Sequence, residues 1–208
     1  MARKQGIDRR RLLSLVALAI VAGVVVGLTT GGSSKHKSKA AASFEAAGVL
    51  SPIQPAPPLV LRNYLGQSVN IDSYRGKAVL VTFLYTHCPD VCPLIASHLN
   101  DALRQLGPRA TAVRVVAVST DPKGDTHASV RRFVKTHRLV SQFRYLTGTK
   151  AQLYPIWKAW SVAAFPGPGA TVNHSSYVML VDRKGRQRIF YDSTVTGAQI
   201  VHDLRLLG

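Results

Sequence analysis

The chain contains two cysteines, Cys88 and Cys92, four positions apart in FLYTHCPDVCPLIA, residues 83–96. A CxxxC pair can be a structural disulfide, a redox couple or half of a metal site. A bond between residues this close closes almost no loop and restricts the unfolded chain little, so the structural reading is the weakest. In one helical turn, Cα atoms at i and i+4 stand ~6 Å apart, which a disulfide can span near its long limit. The same spacing turns both sulfurs to one face, where two thiolates chelate Cu(I) or Zn(II). Redox and metal chemistry both stay open, and a third ligand would separate them.

The elements around the pair give it an address. KAVLVTFLY, residues 77–85, is a β-rich apolar run expected to be a buried strand, and apolar residues recur at helical spacing from Pro93 until Gly107. VRVVAVS at 113–119 predicts a second buried strand, followed by a helix over 126–138, the short strand FRYL and a helix around KAQLYPIWKAW. Alternating strands and helices predict a parallel arrangement. SYVMLV and RQRIFYD enclose DRKG as an antiparallel hairpin, and GAQIVHDLRLL closes the chain as an amphipathic helix. Before all of these, LVLRN and SVNID flank YLGQ as a small β-hairpin. The order is that of an α/β, thioredoxin-like domain. In such a sheet the chemistry sits beyond the carboxyl ends of the strands, at a helix N-terminus whose free N–H groups and dipole favour a thiolate.

Seven histidines compete to be the third ligand. His36 lies in a linker; His98 and His202 fall in helices, and His127 and His137 at the ends of another, where solvated or packing roles suffice. His87 adjoins Cys88, but as the last residue of a strand it should leave on the opposite face. His174, in GPGATVNHSSYVML, precedes the strand of the terminal hairpin, in a loop that a thioredoxin-like topology packs against the cysteine-bearing helix end. Two sulfurs and one imidazole suit three-coordinate Cu(I), whereas structural zinc calls for a fourth ligand.

The N-terminus bears on location. Residues 1–11 are a basic segment with Arg3, Lys4, Arg9, Arg10 and Arg11, followed by the uncharged run Leu12–Leu28, which Thr29 and Thr30 can extend. At ~1.5 Å per residue the run spans ~26 Å, near the lower limit for a membrane-crossing helix. A retained anchor over 12–30 is favoured over a cleaved signal, because the A-x-A-like AAAS at 40–43 comes only after Lys35, Lys37 and Lys39. The basic flank places the N-terminus in the cytoplasm and the rest outside the cell membrane. Residues 31–58, rich in Gly, Ser, Ala, Lys and Pro, read as a flexible tether, and 59–208 as one domain. Of the net charge of +17, residues 1–39 account for +7 and the remainder for +10. The excess suits an acidic protein or acidic lipid headgroups, or simply reflects an Arg-rich composition. The scattered basic residues, without interleaved aromatics, argue against nucleic acid.

GKAVLVTFLYTHCPDVCPL, AVSTDPKGDT and VNHSSYVMLVDRKGR, in this order and at these separations, resemble the Sco/SenC family over about residues 59–207. The resemblance implies a membrane-tethered thioredoxin-like domain in which Cys88, Cys92 and His174 bind one copper ion, as Cu(I) or Cu(II). It further implies delivery of copper to, or reduction of the cysteines of, the copper A site on cytochrome c oxidase subunit 2, with other copper carriers or thiol reductants as further partners. Asp121, in STDP, matches a family acid that stands beside the site or caps the following turn. Asp90 reads as a helix N-terminal acid. Asn173 departs from the pattern, which commonly has an acid before the histidine. The rival reading is an extracytoplasmic thiol-disulfide oxidoreductase using Cys88 and Cys92, which leaves His174 without a necessary task.

Overall fold

Residues 78–84, AVLVTFL, are buried without exception. A strand with no polar side is stable only where both faces of its sheet are covered. The computed structural model, which describes residues 43–169 and 171–207, places this strand, β4 (Ala78–Leu84), inside an eight-stranded sheet. The other strands are β1 (Gly48–Pro55), β2 (Val60–Asn63), β3 (Ser68–Asn70), β5 (Val113–Ser119), β6 (Phe143–Thr147), β9 (Val178–Val181) and β10 (Arg186–Tyr191), and a separate ribbon joins β7 (Ala164–Pro166) to β8 (Val172–His174). The helices are α1 (Val91–Leu106), α2 (His127–Thr136), α3 (Lys150–Ala159) and α4 (Gly197–Leu206).

The sheet order is β1-β10-β9-β4-β5-β6-β2-β3. β4, β5 and β6 run parallel, as the alternation predicts, and the remaining pairs are antiparallel. Alternate side chains of β4 enter two separate cores. Leu80 and Leu84 join Ile95 and Leu99 of α1 and Ile200 of α4, while Val79, Val81 and Phe83 join Leu153 and Trp157 of α3 with Trp160. Thr149 and Thr196 close capping boxes with Gln152 and Gln199, which fixes where α3 and α4 begin. The sheet leaves the cysteine segment beyond the carboxyl end of β4, between β5 and β9.

Three expectations need correction. The tether does not run to residue 58: Gly48–Pro55 forms edge strand β1, paired with β10 from Gly48↔Phe190 to Pro55↔Arg186. Composition hides this strand, because most of its side chains face solvent and only its backbone pairing is strand-like. The lead-in to it is anchored as well, since the backbone N–H of Glu45 donates to the buried Asp203 carboxylate at 2.8 Å. The segment before His174 is not a plain loop but the β7–β8 ribbon, in register Ala164↔His174. Finally, Cys88 does not lie in the first helical turn; α1 starts at Val91, so Cys88 occupies the approach and Cys92 the second helical position. Among the described residues no helix is long and apolar enough to cross a membrane, and the expected basic segment 1–11 and span 12–30 lie outside them.

Phe44 and Leu50 are half-buried against the two cores. A domain cut to begin at Leu59 should therefore be ~2–3 kcal/mol less stable than one beginning at Ser43, the value of two partly buried side chains. Urea unfolding of the two proteins checks this, and equal midpoints would return β1 to the status of a tether.

Candidate metal centre

The site is built where β4 ends. After Tyr85, Thr86 and His87 the chain turns through Cys88 into α1, whose N-cap residue, Asp90, makes no side-chain capping bond. The Cys88 sulfur substitutes for the missing cap by accepting the Cys92 backbone N–H at 3.4 Å. Free N–H groups at a helix start attract negative charge, so this position favours a thiolate. Both cysteines are free thiols, Cys88 half-buried and Cys92 buried.

The two sulfurs divide one proton unequally. A hydrogen bond from the Cys92 thiol, helped by the backbone N–H groups of Asp90 and Cys92 and opposed by burial, lowers Cys88 to about 5. The same bond, reinforced by burial, pushes Cys92 far up. At neutral pH the pair is one thiolate holding one thiol.

His174, at the end of β8, completes the group. Its Nε2 stands 3.5 Å from the Cys92 sulfur, and its Nδ1 is 3.0 Å from the Ser175 carbonyl. The carbonyl can only accept, so Nδ1 carries the proton and Nε2 is left as an acceptor toward the Cys92 sulfur, competing with the Cys88 thiolate for its one S–H proton. Burial lowers the imidazole pKa against the pull of that carbonyl and of Cys88, which keeps the ring neutral, as a metal ligand must be. Tyr85 meets the ring edge-on at 5.6 Å between centroids. Two soft sulfurs and one neutral nitrogen fit copper in kind. Among the described residues no three His, Cys, Asp or Glu side chains are already gathered into a metal cage, so binding requires these side chains to adjust.

Asp121 takes the turn role: its Oδ1 accepts the Lys123 N–H at 3.2 Å and the Gly124 N–H at 2.9 Å. The acid built into the site is Asp125, which the sequence reading did not single out. It is buried and accepts the Thr86 N–H at 2.8 Å, the Ser119 hydroxyl at 2.6 Å and the Tyr145 hydroxyl at 3.0 Å. It thereby clamps the approach to Cys88 onto the end of β5 and the middle of β6. Burial raises its pKa against these three donors. STDPKGDT contains both acids, and nothing local says which one points inward. His87 lies in the turn after β4 and not at the end of the strand, so alternation does not set its direction; its ring faces the turn of Asp121, with Nδ1 3.2 Å from the Thr86 hydroxyl.

Two outcomes follow from this geometry. Iodoacetamide should modify the reduced, metal-free protein at Cys88 alone, with a rate that rises through a midpoint near pH 5, while Cys92 stays inert at neutral pH; peptide mass spectrometry distinguishes the two. Asp125→Ala should cost ~3 kcal/mol, because it strands two buried hydroxyls and the half-buried Thr86 N–H, and thermal unfolding of the metal-free protein measures it.

A family model described as SCO1/SenC matches residues 53–207. Protein SenC of Rhodobacter capsulatus is 29% identical over 189 residues, covering 89% of this chain and 83% of the relative. The SCO1 protein homolog of Bacillus subtilis is 22% identical over 160 residues, 71% of this chain and 83% of the relative. Among solved structures, Bradyrhizobium japonicum ScoI with copper bound matches at a TM-score of 0.66 and 28% identity, over 74% of this chain and 99% of that one. Apo Sco1 from Thermus thermophilus matches at 0.69 and 28%, over 81% and 99%. Nearly the whole of each solved chain corresponds to this domain, so a fold of this extent stands alone. With its thioredoxin-like sheet and its thiol–imidazole group in place, and a family match across three quarters of its length, the chain belongs to the SCO1/SenC family.

Proposed function

We propose that this protein is a membrane-tethered, extracytoplasmic copper carrier that takes one copper ion on Cys88, Cys92 and His174 and serves the assembly of the copper A site in cytochrome c oxidase subunit 2. The observation that carries the reading is the approach of the His174 Nε2 lone pair to the Cys92 sulfur at 3.5 Å, beside a Cys88 sulfur held as thiolate. A redox pair has no need of a neutral imidazole with its far nitrogen fixed and its near nitrogen bare; a metal site does. Copper bound to relatives such as B. japonicum ScoI supports the same cargo. The tether rests on the uncharged run from Leu12 and its basic flank, which also support a cytoplasmic N-terminus and a single pass of the cell membrane.

The chain's own part in loading is mostly electrostatic. Cys88 meets the cation already charged, Cys92 gives up its proton on binding, and His174 binds without losing one. A disulfide between the cysteines would remove both sulfurs, so oxidation and loading exclude each other. The lowered Cys88 pKa favours a second reading, an extracytoplasmic thiol-disulfide oxidoreductase in which Cys88 attacks a partner's disulfide and Cys92 resolves the mixed disulfide.

His174→Ala separates the two. A carrier should lose at least about 100-fold in Cu(I) affinity against a competing chelator, a larger loss than removing a ligand's supporting partner causes, while its thiols still form their disulfide. An oxidoreductase should keep its reduction of a test disulfide and depend on Cys88 alone for attack. Wild-type copper affinity in His174→Ala with strong disulfide turnover would replace the carrier by the enzyme.

A further inference from the structure

The pole of the sheet opposite the thiols contains a cavity of about 380 Å³, bounded by the C-terminal ends of α1 and α4, the β9–β10 turn and the start of β5. Its floor is apolar, formed by Leu106, Val113 and Leu204, and its rim carries the exposed Arg109, Arg183 and Arg205. No carboxylate among the described residues pairs with these three guanidiniums. The acid that also lines the cavity, Asp182, is occupied by Arg186 at 2.7 Å and Arg188 at 3.3 Å. Lys77 and Arg114, both hydrogen-bonded to the Thr111 carbonyl, extend the basic field along the same pole.

An arginine in the last turn of a helix is ordinarily explained by the dipole, and Arg205 complements α4 in that way. That explanation does not extend to three cations around one concavity. Each helix end contributes only about half a negative charge, so the rim keeps a positive excess. Guanidinium forks match phosphate oxygens in geometry as well as charge, and the volume is that of a small-ligand pocket. The apolar floor selects among phosphates: a free inorganic anion gains nothing from Leu106 and Leu204, whereas a phosphate ester on an aliphatic body does.

We propose that this cavity binds the phosphate headgroup of an anionic phospholipid, with Arg109, Arg183 and Arg205 at the phosphate and the leucine floor against the glycerol and first methylenes. The excess of basic residues in the domain thereby gains a location and a partner. β4 runs from Ala78 at this cavity to Leu84 below the cysteines, ~20 Å at the rise of a strand. A domain docked on a membrane by this pole turns Cys88, Cys92 and His174 toward the aqueous side, where a protein partner can reach them. The proposal goes beyond the copper reading and does not depend on it.

The test uses residues 43–208, metal-free, in co-sedimentation with vesicles of phosphatidylglycerol or of phosphatidylcholine. The expected result is binding to phosphatidylglycerol and not to phosphatidylcholine. Arg109→Gln/Arg183→Gln/Arg205→Gln should weaken it on the order of 100-fold, and Arg183→Gln alone about fivefold, from the usual worth of one basic residue at an anionic surface. Arg131→Gln/Arg132→Gln/Lys135→Gln, with the same charge change on α2, should weaken it by less than about tenfold. Equal losses in the two triple variants would reduce the effect to diffuse charge and overturn the site, as would absence of binding to phosphatidylglycerol. Displacement of the domain from vesicles by micromolar glycerol phosphate would assign the cavity to a soluble ester and overturn the lipid. Copper titration of the rim variant should match wild type, so failure here leaves the carrier reading untouched.

Discussion

β4 has no solvent side, and the rest of the domain is arranged around that constraint. A seven-residue strand buried throughout must be covered on both faces, which demands α1 and α4 on one and α3 on the other. It must also be paired on both edges, which β5 and β9 provide in opposite directions. The parallel neighbour delivers the STDPKGDT turn to the same end of the sheet as the cysteines, because parallel strands finish together. The antiparallel neighbour starts at that end, so the segment before it, which carries His174, arrives there as well. The donors meet because each is attached to a strand terminus that this packing cannot place elsewhere.

Within that frame the chemistry is set by two hydrogen-bond acceptors, one buried and one half-buried. Asp125 takes the Thr86 N–H and two hydroxyls, so the turn before Cys88 is held by β5 and β6 rather than by its own residues. The Ser175 carbonyl holds the proton of His174 on Nδ1 and leaves Nε2 free. Neither acceptor touches the cysteines' own bond, yet together they decide where Cys88 stands and which nitrogen faces Cys92. Polar groups at this depth are costly unless satisfied, and their satisfaction gives the site one arrangement.

The two poles of the sheet differ in charge as well as in chemistry. The thiol pole gathers the acids Asp90, Asp121 and Asp125 around the Cys88 thiolate, which helix N–H groups and a neighbouring thiol stabilise. At the opposite pole, exposed guanidiniums gather around an apolar floor, without carboxylate partners among the described residues. A soft-metal site and a phosphate site have conflicting electrostatic needs, since one concentrates negative charge and the other positive. Separation along β4 lets one small domain hold both.

Much of this was legible in the sequence, and the remainder for definite reasons was not. Strand and helix order, the parallel centre and the hairpins are written in apolar period and turn residues, which depend on near neighbours only. Cys88, Cys92 and His174 stand out because few residue types bind soft metals and the CxxxC spacing is local. Asp125 could not be told from Asp121 by such rules: both are acids in one turn, and only the position of Thr86, thirty-nine residues earlier, makes one of them the clamp. β1 reads as tether in the sequence because an exposed edge strand carries no apolar period and is defined by a partner more than 130 residues away. The division of one proton between the cysteines depends on burial and on the direction of an S–H bond, and the basic cavity on four elements meeting at a pole. The sequence determined which groups exist and which elements carry them; tertiary packing decided which groups share a dry space, and a proton or a charge responds to that space rather than to its place along the chain.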